Sequence, residues 1–428
     1  MKSHLKNISF IISRCQVGRQ EWKYTEEKHF SLVTEFDLDC EQKSIVTLIM
    51  AIFFIGWGIG AIVSGSIADR YGRRVVFCPS LATIYLLGFA SPFVGNVHVV
   101  VAFRFLIGFA FPSVLIQSSV FLTEFVGGSF RHIYLAIPVG SANIAWIILG
   151  VKAFYIQNWR YLSIVCTAPY VFTLLFHFFI PESARWLHSR NRNKEALDVL
   201  RYIAKWNKQT LPADVTLSSN QSTVTVYRPK TNPFNLIKTR RLALRTGAMM
   251  LVWLSTALQT YGLQFAAKGL GGTVYINFMV LSAAGLPGSI AAAIGVKVLG
   301  RKIATLTPIA VGALMCFVIA ALPRTETYNI GRLVLGIFGK LCGIAQFSCL
   351  YTWSPEMFST NMRAGAMGVF QLSARVGAGL SPIVVIELAR LGEWIPFVFL
   401  GVASLVAVSL GLVLPETIGK ELKDDEPE

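Results

Sequence analysis

The sequence predicts an all-α membrane protein with eleven spanning helices in groups of five and six, on three observations. Apolar residues make up 54% of the 428 and charged residues only 14%, where a soluble protein carries about 25% charged. The mean hydropathy is +0.56, and the apolar residues come in long blocks rather than at amphipathic spacing. A block of roughly 20 residues spans the hydrocarbon core as a helix, because each residue rises about 1.5 Å. Lastly, Lys and Arg gather in every second loop between blocks, the pattern of a topology signal. The net charge of +16 comes without an RNP-like, zinc-finger or basic-zipper pattern, so nucleic acid is not an expected partner. The lipid bilayer is.

In chain order, residues 1–44 are polar and mixed. Phe10-Ile11-Ile12 is too short for a signal-peptide core. The segment holds a glycosylation sequon at Asn7-Ile8-Ser9, together with Cys15 and Cys40, whose pairing the sequence leaves open. Apolar blocks follow at 45–65, 75–95, 98–122, 133–153 and 161–180, the first bundle, and at 246–267, 274–295, 303–322, 331–353, 365–388 and 395–414, the second. The basic loops are Ala68 to Arg74, Arg131-His132, 181–245, Lys297 with Arg301-Lys302, and Arg363. They are expected in the cytoplasm, with the N-terminus outside and the C-terminus inside. The loop at 181–245 carries eleven Lys/Arg against three Asp/Glu between His188 and Leu242. Within it, Asn193–Trp206 has apolar residues at helical spacing and reads as a short amphipathic helix on the cytoplasmic face, in its plainer version packing on the bundle ends. Leu217–Thr225 is a Ser/Thr-rich linker, and residues 415–428 form an acidic cytoplasmic tail. The sequon at Asn220 lies on the inside and is expected to be unused.

Two loops echo each other. Gly65 to Arg74 follows the first span, and Leu299-Gly300-Arg301-Lys302 follows a span two helices into the second half. One such loop is a turn glycine beside a topology signal; two at matching positions favour a duplicated transporter. Gly65 to Arg74 resembles the loop signature of the major facilitator superfamily. Thr123-Glu124-Phe125-Val126-Gly127 with Arg131, Asn158-Trp159-Arg160, Pro181-Glu182-Ser183-Ala184-Arg185-Trp186-Leu187, Gly339-Lys340, Ser373-Ala374-Arg375-Val376-Gly377 and Leu414-Pro415-Glu416-Thr417 resemble the organic ion transporters of solute carrier family 22. The resemblance runs over about residues 15 to 420. It implies a two-bundle transporter for small organic ions, working by alternating access in the plasma membrane. It also implies a twelve-helix fold with a large extracellular loop after the first helix. Residues 15–44 look like the end of that loop, and the first helix is expected to be absent. Ala184, Lys297 and Ser359 depart from the family pattern.

Ionisable groups inside spans cost on the order of 3 kcal/mol at the bilayer centre and tend to face a cavity or a partner. Lys340 and Arg375 lie inside long apolar blocks, and Arg104 lies nearer the outer end of its span. With no Asp or Glu equally deep, an electropositive cavity is expected, favouring an organic anion or zwitterion over a cation. The resemblance makes the position of Arg375 basic in anion and zwitterion carriers. For Lys340 a purely structural hydrogen bond to helix carbonyls is the equal alternative. Trp253, Tyr261 and Phe347 are the aromatic candidates for the cavity, with rings that stack on substrates. Packing against lipid or neighbouring helices is the plainer role of such rings. Asp69, Arg73, Glu124, Arg131, Glu182, Arg185, Glu356 and Arg363 fall at cytoplasmic helix ends, where the resemblance implies a gate between the halves and ordinary exposed pairs are the alternative.

No catalytic residue, metal site or cofactor is expected. His132, His177 and His188 have no nucleophile or ligand partner in the pattern, and no Walker A sequence occurs. Two alternatives accompany the carrier reading. One is a sugar porter, disfavoured by the lack of a Gln-rich pattern in 246–267. The other is a truncated, non-transporting chain or a regulator of a complete carrier. Oligomeric state is not legible.

Overall fold

The computed structural model describes residues 27–38, 42–125, 131–209, 236, 238–270, 273–323, 325–358 and 360–417. Among these, all regular structure is helical. In order the helices are α1 (Leu32–Phe36), α2 (Lys43–Tyr71), α3 (Arg73–Ala90), α4 (Val97–Phe125), α5 (Arg131–Tyr155), α6 (Trp159–Val171), α7 (Ala184–Ser189), α8 (Asn193–Trp206), α9 (Arg240–Phe265), α10 (Val274–Ala283), α11 (Gly285–Val298), α12 (Arg301–Ala321), α13 (Asn329–Glu356), α14 (Thr360–Leu388) and α15 (Ile395–Val413). Every apolar block of the sequence meets a helix. Eight stretches among the described residues are long and apolar enough to cross a membrane: α2, α3, α4, α10 with α11, α12, α13, α14 and α15. The other three differ for local reasons. In α5 the apolar stretch described is Ala142–Tyr155. Helix α6 carries Pro169 and passes into 3-10 geometry at Phe172–Phe178. Helix α9 has a polar face of Ser255, Thr256, Gln259 and Thr260, all buried inside the bundle.

The block at 274–295, read as one span, is interrupted at Ala284. Pro287 in the first turn of α11 donates no hydrogen bond and crowds the carbonyl four residues back, so the helical ladder restarts there.

In the first half α4 lies against α2 and α3, and α3 against α6. The α2–α4 approach is backbone on backbone. A Cβ on Gly60 would sit 2.0 Å from the Phe109 carbonyl oxygen, and one on Gly108 would sit 2.2 Å from that of Phe53. In the second half α9 is the hub, packed on α13, α14 and α15, with Met249, Val252, Trp253, Leu350, Trp353 and Phe370 at its core. The halves meet along two seams, α2 against α14 and α5 against α10.

The echoed loops prove to be one device used twice. Gly72 turns the chain at φ 116° and Gly300 at φ 83°. Behind each, a carboxylate caps the next helix. Glu182 accepts hydrogen bonds from the backbone N–H groups of Arg73 (3.0 Å), Arg74 (3.1 Å) and Ser183 (2.9 Å). Glu416 accepts from Arg301 (3.1 Å), Lys302 (3.0 Å) and Thr417 (2.8 Å). A carboxylate at a helix N-terminus satisfies donors the helix cannot and meets the positive end of its dipole. Pro-Glu-Ser and Pro-Glu-Thr thus do the same work in each half.

At the opposite end of the bundle a clasp ties α1 to the first half. Ser31 and Thr34 form a capping box at the start of α1. Glu35, only 6% exposed, accepts from Arg160 Nε (3.0 Å) and from Trp159 Nε1 (2.6 Å), pairs with a terminal guanidinium nitrogen of Arg160, and meets His29 Nδ1 at 3.2 Å. Arg160 also donates to the carbonyls of Pro92 and Val94, between α3 and α4. Asn158 caps α6 through its side-chain oxygen. Burial pushes the Glu35 carboxyl up, but the bonds from Arg160, Trp159 and His29 prevail and bring it down from 4.5 to about 2.

Two expectations follow. With its acidity strengthened by folding, Glu35 contributes stability that is complete above its ordinary range and fades as pH falls toward 2. Glu35→Gln in nanodiscs should lower stability by roughly 1.5–3 kcal/mol at pH 7, the range for a hydrogen bond to a charged group. Thermal unfolding should show that gap closing between about pH 5 and pH 2. Gly72→Ala should cost about 1–3 kcal/mol from backbone strain alone. It should cost more than Gly300→Ala, because the new Cβ would lie 2.3 Å from Glu182 Oε2 against 3.0 Å from Glu416 Oε2; paired melting curves would measure the difference.

Candidate functional site

Where the α2–α14 seam meets α9, five helices bring aromatic and basic side chains together. Helix α13 presents Lys340, Phe347 and Tyr351, spaced seven and four apart and therefore on one stripe. Helix α14 presents Gln371 and Arg375 one turn apart, α9 presents Trp253 and Tyr261, α2 presents Phe53, Phe54 and Trp57, and α4 presents Phe111. The rings form a run across the seam. Phe111 meets Trp57 edge-on at 4.6 Å, Trp57 lies nearly parallel to Phe54 at 6.4 Å, and Phe54 meets Tyr261 at 5.3 Å. Trp253 is fully buried, with its indole N–H on Ser354 Oγ at 2.8 Å. It backs the wall by packing against Tyr351 at 5.0 Å and Phe347 at 5.9 Å.

Two cations sit in this frame. The Arg375 guanidinium lies 3.9 Å above the Trp57 ring and donates to Gln371 Oε1 at 3.2 Å. A cation over an indole face is attracted by about 0.5–2 kcal/mol, more as water is excluded. Lys340, 8% exposed, donates to the Thr260 carbonyl at 3.0 Å and stands 6.0 Å from the Tyr261 ring. Among the described residues neither makes an ion pair with a carboxylate. The Arg375 stem also lines an apolar groove of about 320 Å³ on the seam, walled by Ile55, Ile59, Ile62, Leu372, Val376 and Ile383. Arg104 has an exposed side chain on α4, outside this cluster.

All five cavity candidates from the sequence are thus near one another. The α2 and α4 rings and Gln371 were not singled out. Phe53, Phe54 and Trp57 fall within one helical turn, a readable signal, but only the tertiary fold turns that face toward Arg375.

The gate candidates divide by half. Glu182 holds the backbone of Arg73 and Arg74, and Arg73 donates its guanidinium to the Ala68 carbonyl at 3.3 Å, all in the first half. Glu356 pairs with Arg301 at 3.1 Å and accepts from Thr417 Oγ1 at 2.6 Å, while Arg363 donates to the Pro355 carbonyl at 2.8 Å, all in the second. Arg185 is exposed. Arg301, Thr417 and Glu416 join this network without having been singled out as gate residues. The side chains of Asp69, Glu124 and Arg131 lie outside what the structure describes, as do Asn7, Cys15 and Cys40. No metal-binding cluster of His, Cys, Asp or Glu occurs among the described residues.

Other contacts between the halves include one at the Glu35 end and two on the second seam. Thr47 on α2 donates to Glu387 on α14 at 3.3 Å. On the other seam Phe154 meets Tyr275 at 6.1 Å and Trp146 meets Phe278 at 5.8 Å.

Comparison with known proteins agrees with this architecture. The family model described as "Sugar (and other) transporter" matches residues 8–427. Solute carrier family 22 member 13 of Homo sapiens is 30% identical over 413 residues, covering 96% of this chain and 73% of that protein. Organic anion transporter 3 of Oryctolagus cuniculus is 28% identical, covering 94% and 74%. Among solved structures, the partially occluded inward open xylose transporter XylE from E. coli matches with a TM-score of 0.67 at 17% identity, covering 89% of this chain and 90% of that one. The nucleoside transporter NupG matches with a TM-score of 0.63 at 16% identity, covering 86% and 90%. These likenesses place the fold among major facilitator transporters rather than enzymes, and the chain belongs to the sugar (and other) transporter family and, within it, to solute carrier family 22.

Proposed function

We propose that the chain moves small organic anions or zwitterions across the plasma membrane by alternating access, with Arg375 and Lys340 receiving the substrate's negative group. The observation that carries this reading is the pair of cations without a carboxylate partner among the described residues, one of them stacked across the seam between the halves. A guanidinium presents several N–H donors in a plane, and Gln371 and Trp57 leave donors available for a bidentate carboxylate. The ring run from Phe111 to Tyr261 offers flat apolar faces for the organic body. The organic anion transporters among the relatives support the same sign of substrate.

The seam supplies the coupling. Arg375 belongs to the second half and Trp57 to the first, so a rocking of the halves alters the contact that holds the guanidinium. A bound carboxylate that takes over this stabilisation makes the rearrangement cheaper when substrate is present. The capped turns of each half lie at the end opposite Glu35 and move with their halves. We place that other end in the cytoplasm because it carries the basic loops.

The sugar-porter alternative is less well supported. Gln259 and Gln346 in the second half are buried, and Gln346 Nε2 donates to Gln259 Oε1 at 2.8 Å, so the two amides are turned to each other.

Uptake of labelled carboxylates, carnitine-like zwitterions and quaternary amines would test the reading. Arg375→Ala should lower carboxylate uptake at least tenfold, the lower end expected for a lost charged hydrogen bond, with Arg375→Lys keeping part of it and quaternary amines spared. Unchanged carboxylate uptake by a correctly trafficked Arg375→Ala protein would defeat the charge argument. A wild-type chain that moves none of the panel would favour the regulator alternative.

A further inference from the structure

The segment between the bundles carries a surface that transport does not use. Helix α8 is anchored on one face, where Ala196 and Val199 pack on Trp186 and Leu187 of α7. Its other face is exposed and ordered by helical spacing. Lys194, Arg201 and Lys205, seven and four apart, form one stripe; Tyr202 and Trp206, four apart, form the stripe beside it. All five are exposed. Trp206 is 68% exposed and meets Tyr202 edge-on at 6.3 Å.

The acidic neighbours do not balance this stripe. From 190 to 208 there are six basic side chains and two acidic ones. Glu195 is held by Arg192 at 2.7 Å and Asp198 by Arg201 at 3.4 Å. Such exposed pairs are worth about 0–1 kcal/mol and yield readily to a stronger anion. Arg190 and Arg192 lie over the Trp186 ring, so they brace α7 rather than join the stripe.

The height of the rings is marked by a contact. The Tyr202 hydroxyl donates to the Phe179 carbonyl at 3.2 Å. Phe179 ends the apolar run after α6, in which Phe172, Leu175 and Phe179 are all exposed. An exposed apolar run on a membrane protein faces lipid tails. Tyr202 and Trp206 therefore sit where that surface stops, the level Trp and Tyr prefer at a bilayer interface.

We propose that the exposed face of α8 binds anionic lipid headgroups, with Lys194, Arg201 and Lys205 on the charged groups and Tyr202 and Trp206 inserted at the headgroup level. The occupant is chosen by charge and by depth together: a basic stripe beside two rings, at the edge of a lipid-facing surface. Each basic side chain near such a surface favours anionic lipid by about fivefold.

The test uses the full chain extracted from bilayers of phosphatidylcholine with phosphatidylserine, with retained lipid quantified after purification. The combined variant Lys194→Gln, Arg201→Gln and Lys205→Gln should retain at least about fivefold less phosphatidylserine relative to phosphatidylcholine. The variant Lys194→Arg with Lys205→Arg should retain as much as wild type. Melting in pure phosphatidylcholine nanodiscs should match wild type for both, showing that the fold is intact. Raising the salt during extraction should weaken the wild-type preference. An unchanged lipid ratio in the triple Gln variant with an intact fold would overturn the proposal. So would an unchanged ratio accompanied by loss of a co-purifying protein, since the stripe would then serve a protein partner.

Discussion

A bilayer core offers polar groups nothing to bond to, and most features of this molecule answer that one constraint. Backbone donors and acceptors must be satisfied within the segment, so the regular structure among the described residues is helical. Without a hydrophobic drive between helices, association comes from close packing, and α2 and α4 approach until only glycine fits at Gly60 and Gly108. The same scarcity disciplines charge. Lys340 turns to a helix carbonyl and Arg375 to an indole face and a glutamine, weak substitutes for a carboxylate. A charge held in this way is costly to bury, and the same constraint that makes the fold helical makes these two cations stand out.

Strong and soft contacts are separated along the same lines. The strong charged bonds described for the capped turns fall within a half: Glu182 beneath α3, and Glu416 beneath α12 with Arg301 and Glu356 beside it. The contacts named between halves are softer: ring against ring, a threonine on a carboxylate, a guanidinium on an indole. The strong bonds described for these turns thus lie within each half. The clasp of Glu35, Trp159 and Arg160 extends this logic to the opposite end, tying α1 and the α3–α4 loop to the head of α6. Helix α8, by contrast, faces outward, and its exposed stripe belongs to the surroundings of the bundle rather than to its working interior.

The sequence by itself determined the helices, because a run of apolar residues long enough to cross a bilayer has one stable conformation there and its ends are marked by charge. It determined the duplicated turns, because a glycine at positive φ before two basic residues leaves a local trace, and it pointed to Lys340 and Arg375, because a charge inside an apolar block is conspicuous on its own. What it could not determine depends on which helices face one another. That Trp253 is fully buried against Phe347 and Tyr351 could not be read locally, since those neighbours lie about a hundred residues away in the chain. The block over 274–295 stays one membrane-crossing stretch, but its helix restarts at Ala284 because Pro287 acts through the carbonyl behind it. Pro-Glu-Ser and Pro-Glu-Thr were visible as motifs, but their role appears only when each glutamate meets an N-terminus more than a hundred residues upstream in the chain. The tertiary structure alone decided that Arg375 lies on Trp57, because that contact is made across the seam between two halves whose sequences carry no record of how they dock.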